Sequence, residues 1–185
     1  AVSAHDPLGP PNGQFSYSDT GYILLGDIIE RLTGDTLATA VRRELKFSEI
    51  GLAATWWEQV ENPPAQSEPR AVQYLSGAET TSWNGSIDLY GGGGLMMSAN
   101  DMAKFMAALF RGQVFDDPNT LVEMTTAPGM PFSNNYRIGL FPRTIEGYDG
   151  FFHSGFWGTF VIYFPDLHRY KIYWHPSPLK RIPPG

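Results

Sequence analysis

The hydrophobic pattern of this chain changes its period once, and that change limits the folds open to it. After Thr20 the apolar residues recur at the spacing of one helix face. They are Ile23, Leu24, Ile28 and Leu32. After Pro131 the pattern favours short strands, among them the apolar run 160–164. A helical region followed by consecutive strands predicts an α+β fold, with an antiparallel sheet packed against helices.

Capping residues set the bounds of the predicted elements. Asp35 and Ser98 are the expected N-caps of two helices, and Gly34 stops the first helix of the chain. The predicted helices are 20–33, 35–45, 99–110 and 117–126. The predicted strands are 136–141, 150–154, 159–164 and 169–174, with 165–168 as a hairpin connection.

The middle of the chain is harder to assign. Residues 47–90 predict little regular structure, apart from a short strand over 70–75. Four consecutive glycines follow, Gly91 to Gly94. Such a run indicates an unusual turn or a very close contact of the backbone with another part of the molecule. We expect a structural role for it, at the edge of a cleft.

Composition excludes several classes of function. The chain has 185 residues, which fits one domain, and its net charge of −6 disfavours nucleic acid and anionic membranes as partners. Without cysteine it has no disulfide and no thiolate chemistry. Its four histidines are too scattered to predict a metal site, and no apolar run predicts a membrane span. No cofactor is predicted, and both extracytoplasmic and cytoplasmic locations stay open.

Two triplets near opposite ends of the chain carry groups used in acyl transfer. Tyr17-Ser18-Asp19 opens the first helix, and His153-Ser154-Gly155 ends a predicted strand. A phenol and an imidazole can both move protons or polarise a substrate. We expect the Tyr17 hydroxyl and the His153 ring to face one cleft within about 10 Å of each other, because a proton relay needs near-contact distances.

These triplets, with the segments around them, resemble motifs of the serine β-lactamase-like hydrolases. That group includes class C β-lactamases, D-alanyl-D-alanine carboxypeptidases, D-aminopeptidases and β-lactamase-fold esterases. The matching segments are 15–30, 95–110 and 153–158. The resemblance implies a β-lactamase/transpeptidase-like fold. It also implies that 1–185 is the C-terminal portion of a single, incomplete domain, with a helical region at about 15–130 and a sheet region at about 131–175.

The resemblance also implies roles for individual residues. Tyr17 falls on the tyrosine that relays a proton, and His153 on the basic residue of the strand motif. Asp19 stands where the family usually has asparagine, at a substrate-binding position; a carboxylate keeps an acceptor but loses the amide donors. Gly155 leaves room for substrate along the strand, and the backbone N–H of Phe156 falls where the family places an oxyanion donor.

The nucleophile that the resemblance implies is the serine of an S-x-x-K motif on a buried helix, well before the tyrosine. Only 16 residues precede Tyr17, too few for that helix. The chain has one literal match, Ser177-Pro178-Leu179-Lys180. We interpret it as a coincidence, because nearby prolines prevent a helix there. We therefore expect the nucleophile to lie outside this chain, and the chain alone to be inactive.

The sequence leaves three functions open. The first is a serine hydrolase that cleaves an ester, an amide or a β-lactam of a small-molecule or peptide substrate through an acyl-enzyme. The second is a non-catalytic relative that binds peptidoglycan-like peptides or a protein. The third is a small helix-and-sheet domain whose motif matches are accidental. An incomplete domain would also leave a sheet edge unpaired, which predicts self-association.

Overall fold

The computed structural model describes residues 6–7, 9–10, 13, 15–84, 90–127 and 136–174. The helices of this part are α1 (Asp19–Thr33), α2 (Leu37–Glu44), α3 (Phe47–Ile50), α4 (Ala99–Phe110) and α5 (Pro118–Thr125). The strands are β1 (Thr55–Trp57), β2 (Tyr74–Leu75), β3 (Ala78–Glu79), β4 (Leu95–Met97), β5 (Phe141–Ile145), β6 (Tyr148–Ser154), β7 (Thr159–Phe164) and β8 (Arg169–Trp174). None of the described helices is long and apolar enough to cross a membrane.

Helix α1 begins and ends close to where the sequence predicts. The Ser18 side chain accepts a hydrogen bond from the Gly21 N–H, which caps the first turn. Gly34 takes a left-handed conformation, with φ of 74°, and its N–H donates to the Glu30 carbonyl. Glycine ends a helix in this conformation with little conformational strain, whereas a residue with a Cβ would be strained there.

The described residues cover the apolar face of α1 only in part. Leu24, Leu25, Ile28 and Leu32 are respectively 54%, 51%, 47% and 81% exposed. Gly26 is the buried residue of the helix instead. We call these four leucine and isoleucine side chains the α1 stripe; they form an exposed apolar surface on a helix that leads directly from Tyr17.

The N-cap of helix α2 lies one residue later than predicted. Thr36, not Asp35, is the N-cap, since its hydroxyl accepts from the Thr39 N–H. Asp35 instead forms an ion pair with Arg43. The Glu30 carboxylate accepts from the Leu37 N–H at 2.7 Å and so ties α1 to the start of α2.

The middle segment is held by a buried carboxylate. Asp101, only 2% exposed, accepts from the Ala54 N–H at 2.7 Å and from the Thr55 hydroxyl at 2.9 Å. These bonds join the first turn of α4 to β1, which pairs antiparallel with β4. The strand predicted over 70–75 is too long: the structure has only Tyr74–Leu75, paired with Ala78–Glu79.

The glycine run packs against α1 as a short 3₁₀ turn, Tyr90–Gly92. A Cβ built on Gly91 would lie 2.1 Å from the Tyr22 carbonyl oxygen. A Cβ built on Gly26 would lie 2.7 Å from the Tyr90 ring. The close backbone contact predicted from the sequence is therefore present, and it fixes the first turns of α1.

The large sheet is antiparallel, with strand order β5-β6-β7-β8. Strands β7 and β8 have the predicted bounds, and β6 begins two residues before its predicted start, at Tyr148. The prediction for the first strand of the sheet is wrong, because this strand is Phe141–Ile145 rather than 136–141. A two-residue turn, Glu146-Gly147, joins it to β6, and both turn residues have positive φ.

Both faces of β7 are buried, which explains its continuous apolar run. Val161 and Tyr163 pack against α4, where the Tyr163 ring stacks on Phe110 at 4.8 Å. Phe160, Ile162 and Phe164 form a second cluster on the other face. On the neighbouring strand β6, Phe151 stacks on Phe110 at 5.4 Å, which places this strand's odd-numbered residues on the α4 side.

Candidate functional site

The structure brings together the phenol and the imidazole from opposite ends of the chain. The ring centroids of Tyr17 and His153 lie 6.2 Å apart, with an angle of 38° between the ring planes. This separation is inside the limit of about 10 Å expected from the sequence for a proton relay. The geometry therefore permits the two groups to act on one bound molecule.

Each ring is positioned by regular structure. Tyr17 directly precedes Ser18, the N-cap of α1, so the helix start fixes its backbone. His153 lies on β6, paired with Val161 of β7, and shares its face of the sheet with Phe151. The site thus lies where the first turn of α1 meets the end of β6.

Further aromatic rings surround this pair. Tyr136 contacts Tyr17 edge to face at 5.7 Å and His153 at 6.4 Å. Phe141 lies 5.9 Å from His153, and Tyr22 lies 6.3 Å from Tyr17. These three rings form an aromatic wall beside Tyr17 and His153.

This environment holds the imidazole in its neutral form at neutral pH. Burial lowers the pKa of His153 below its ordinary value of 6.5, against smaller opposing effects of the Ser154 backbone and the Asp19 carboxylate. Burial, with the hydrogen bond to Tyr22, also raises the pKa of the Tyr136 phenol well above its usual range. At neutral pH the site therefore presents an uncharged imidazole and a protonated Tyr136.

Asp19 lies at the first position of α1 and is exposed. Its carboxylate is close enough to His153 to favour the charged imidazole. A carboxylate in the first helical turn is also stabilised by the partial positive charge of the helix N-terminus. Asp19 therefore places a negative charge beside the two rings.

The turn after β6 contains Gly155 and Phe156, the two residues that the resemblance predicts to contact substrate. The Gly155 N–H donates to the Thr159 carbonyl at 2.8 Å, and the Gly158 N–H donates to the Gly155 carbonyl at 3.1 Å. Within the described ranges no backbone carbonyl accepts from the Phe156 N–H. A Cβ on Gly155 would meet nothing closer than the Thr159 Cβ at 3.6 Å, so internal packing does not require this glycine.

The cavity of the described structure lies apart from this site. The only S-x-x-K match, 177–180, lies outside the described residues. A cavity of about 570 Å³ opens between α3, α4 and β8, but none of the site residues above lines it. In the described part of the chain no group of three or more histidine, aspartate or glutamate side chains could hold a metal ion.

Sequence reasoning misses three of the rings at this site. Tyr136 and Phe141 fall in the predicted strand 136–141, of which only Phe141 belongs to a strand. Tyr22 lies in α1, within the matching segment 15–30, but the resemblance implies no role for it. The sequence signal for Tyr22 is its offset of four residues from the cap Ser18, which places it one turn into α1. Nothing local marks Tyr136, because only the tertiary fold brings it to the site.

Comparison with known families gives one match over most of the chain. A sequence model of the family described as Beta-lactamase matches residues 1–174. This range includes both triplets and all of the described residues.

Several solved structures are similar to this chain. A D-stereospecific amidohydrolase from Streptomyces sp. is 24% identical, with a TM-score of 0.78 over 95% of this chain and 54% of its own. A D-amino acid amidase from Ochrobactrum anthropi SV3, complexed with D-phenylalanine, is 26% identical, with a TM-score of 0.71 over 89% and 56%. A penicillin binding protein from Bacillus halodurans is 21% identical, with a TM-score of 0.69 over 92% and 54%. This chain spans about half the length of each.

Proposed function

We propose that this chain, which belongs to the Beta-lactamase family, is the C-terminal portion of a serine hydrolase domain and supplies the proton-relay side of its active site. The serine nucleophile would be carried by polypeptide outside these 185 residues. The reaction would pass through an acyl-enzyme formed on that serine, as the family resemblance implies.

The observation that carries the proposal is the contact between Tyr17 and His153, whose ring centroids lie 6.2 Å apart. In the proposed mechanism the Tyr17 oxygen accepts the proton of the attacking serine and passes it to the leaving group. A positioned acid–base group of this kind contributes about 10²- to 10⁴-fold to a rate. Tyr17 is 46% exposed, so a substrate arriving from solvent can reach it.

His153 would act as a hydrogen-bond partner rather than as a permanent cation. Its lowered pKa leaves the ring neutral at neutral pH. A neutral imidazole has one donor and one acceptor nitrogen, and can therefore orient a phenol or a substrate carbonyl. A substrate carboxylate bound beside it would favour the protonated ring and add an ion pair.

The turn after β6 would hold the reacting carbonyl. The Phe156 N–H would serve as one oxyanion donor, since backbone donors held in place for developing charge are often the largest contribution to catalysis. Substrate would lie along the end of β6 next to Gly155, where the missing Cβ leaves space.

An amide is the substrate type that the comparisons support best. The D-amino acid amidase that is 26% identical is named for amide substrates. Asp19 would accept from the N–H groups of such a substrate, whereas the asparagine usual in the family can also donate. Esters and β-lactams share the same acyl chemistry and are the natural comparison substrates.

The test is to trap the acyl-enzyme in the product of the complete open reading frame that encodes these residues. That protein and residues 1–185 alone are each treated with a fluorophosphonate probe, and the adduct is mapped by mass spectrometry, with heat-unfolded protein as control. We expect an adduct on a serine outside 1–185, and none on the chain alone. An adduct on Ser177 would overturn the location of the nucleophile, and no adduct in any folded sample would favour the non-catalytic binding module.

A further inference from the structure

A hydrogen bond between two phenols links the two halves of the site. The hydroxyl oxygens of Tyr22 and Tyr136 lie 2.5 Å apart. Tyr22 belongs to α1, and Tyr136 lies in the irregular segment that precedes β5. The bond therefore joins the element that positions Tyr17 to the segment that leads into the sheet carrying His153.

Tyr136 is placed between the two groups of the proposed relay. Of the aromatic side chains that the structure describes, it is the one whose ring contacts both Tyr17 and His153. It is only 8% exposed, and its ring also packs on Phe141 at 4.5 Å. A ring held this tightly is a fixed surface against which the more exposed Tyr17 can rest.

The Tyr136 phenol does not itself suit proton transfer. Burial and the bond to Tyr22 raise its pKa far above neutral pH, so it remains protonated. One of the two phenols donates and the other accepts, and the Tyr136 oxygen also accepts from the Gly139 backbone N–H. A group whose pKa lies this far from the operating pH, and whose hydroxyl is already engaged by two partners, is poorly matched to proton transfer.

We propose that Tyr136, anchored by the Tyr22 hydroxyl, is a positioning residue that sets the distance and angle between the Tyr17 and His153 rings. Its importance for catalysis rests on the proposed function, but the geometric claim does not. Loss of the bond frees the Tyr136 ring to turn, and both neighbouring rings then lose a fixed contact. The effect is expected at the two site rings and not throughout the sheet.

The experiment measures the two rings directly. The complete protein is labelled with ¹³C in histidine and tyrosine side chains, and the His153 ring resonances and the cross-relaxation between Tyr17 and His153 are recorded by NMR. Tyr22→Phe and Tyr136→Phe each remove one hydroxyl of the same bond. Tyr163→Phe, a buried tyrosine stacked on Phe110, is the matched control.

We expect both site variants to shift the His153 ring resonances and weaken the Tyr17–His153 cross-peak, and the double variant to add little to either effect. The control should change neither. Unchanged spectra in both single variants would overturn the positioning role, as would equal shifts in the control. Because the readout needs no turnover, a failed hydrolysis assay would count against the proposed function alone.

If a single variant does not fold, Tyr136→Trp keeps a buried ring with one N–H donor. Partial recovery of the cross-peak in that variant supports positioning through the ring. A folded Trp variant with a wild-type cross-peak but no bond to Tyr22 would show that the anchor is unnecessary, and would overturn the proposal.

Discussion

Neither packing nor backbone conformation requires a glycine at position 155 of this structure. The nearest atom to an added Cβ is 3.6 Å away, an ordinary contact distance, and Gly155 does not have positive φ. Its role in the proposed site is to leave space for substrate beside β6. Stability and binding should therefore respond differently to the same substitution.

Gly155→Ala is accordingly expected to leave the free energy of unfolding within about 0.5 kcal/mol of wild type. It should still raise KM for an amide substrate in the complete hydrolase, because the new methyl group occupies substrate space. Urea denaturation and steady-state kinetics check the two halves of this prediction. A large stability loss, or an unchanged KM, would show that the space is not used by substrate.

His153 should make stability depend on pH in one direction. Because its pKa is lowered in the folded state, the unfolded chain takes up this proton first as the pH falls below about 6.5. The stability due to the neutral ring is fully present above that pH, and is lost as the pH falls towards the folded-state pKa. Comparing urea midpoints of wild type and His153→Gln from about pH 7.5 to 5.5 should show a steeper fall in wild type. Parallel curves would contradict the buried, neutral ring.

Among the secondary-structure elements, α1 and the 3₁₀ turn are in very close contact. Of the described glycines, Gly91 in this turn leaves the least room for a Cβ. Gly91→Ala would place a methyl group 2.1 Å from the Tyr22 carbonyl oxygen, which belongs to backbone and cannot move away cheaply. We expect a loss of about 3 kcal/mol or more in the free energy of unfolding.

The matched control is the next residue. A Cβ on Gly92 meets nothing closer than 3.6 Å, so Gly92→Ala should change stability by less than about 1 kcal/mol. Chemical denaturation of the two variants checks the prediction. Equal effects would mean that the turn does not pack on α1 as described.

Local signals predict those elements whose ends are set by local chemistry. The helix predicted over 99–110 has its observed bounds because its cap, Ser98, is set by neighbouring residues. The bounds of strand β5 are not predicted correctly, because a proline such as Pro142 normally indicates that a segment is not a strand. The structure tolerates this proline because β5 is at the edge of the sheet, where one side of the strand needs no ladder bonds. Chain order alone cannot reveal that position.

The same reasoning explains what is predictable at the site. Tyr17 and His153 lie in recognisable triplets, so residue type and spacing are enough to single them out. No signal in the sequence pairs Tyr22 with Tyr136, and only the fold brings them into hydrogen-bond contact. The bonds of Asp101 to Ala54 and Thr55 are also tertiary, and they have no sequence signal.

At the scale of the whole molecule, the α1 stripe is a surface that can recruit other chains. Four large apolar side chains on one helix face are each about half exposed or more. Surfaces of this kind bind other apolar surfaces. In a solution of residues 1–185 alone, the available partner is a second copy of the chain, in addition to the unpaired sheet edge expected from the sequence.

We therefore expect residues 1–185 to self-associate, and the double variant Leu24→Lys, Leu32→Glu to shift the chain towards monomer. The control is Val122→Lys, which places a charge at a valine that is 61% exposed on α5, outside the stripe. Size-exclusion chromatography with light scattering gives the masses. A monomeric wild type, or equal dissociation in the control, would contradict a role of the stripe.

Turnover in the complete hydrolase shows whether Tyr17 relays the proton at a site shared with His153. Tyr17→Phe removes only the hydroxyl, and Tyr148→Phe makes the same change at a tyrosine of similar exposure, 47% against 46%, at the opposite end of β6 from His153. We expect kcat to fall about 10²-fold or more in Tyr17→Phe and to stay at the wild-type value in Tyr148→Phe. A wild-type kcat in Tyr17→Phe would show that this tyrosine only packs and takes no part in proton transfer.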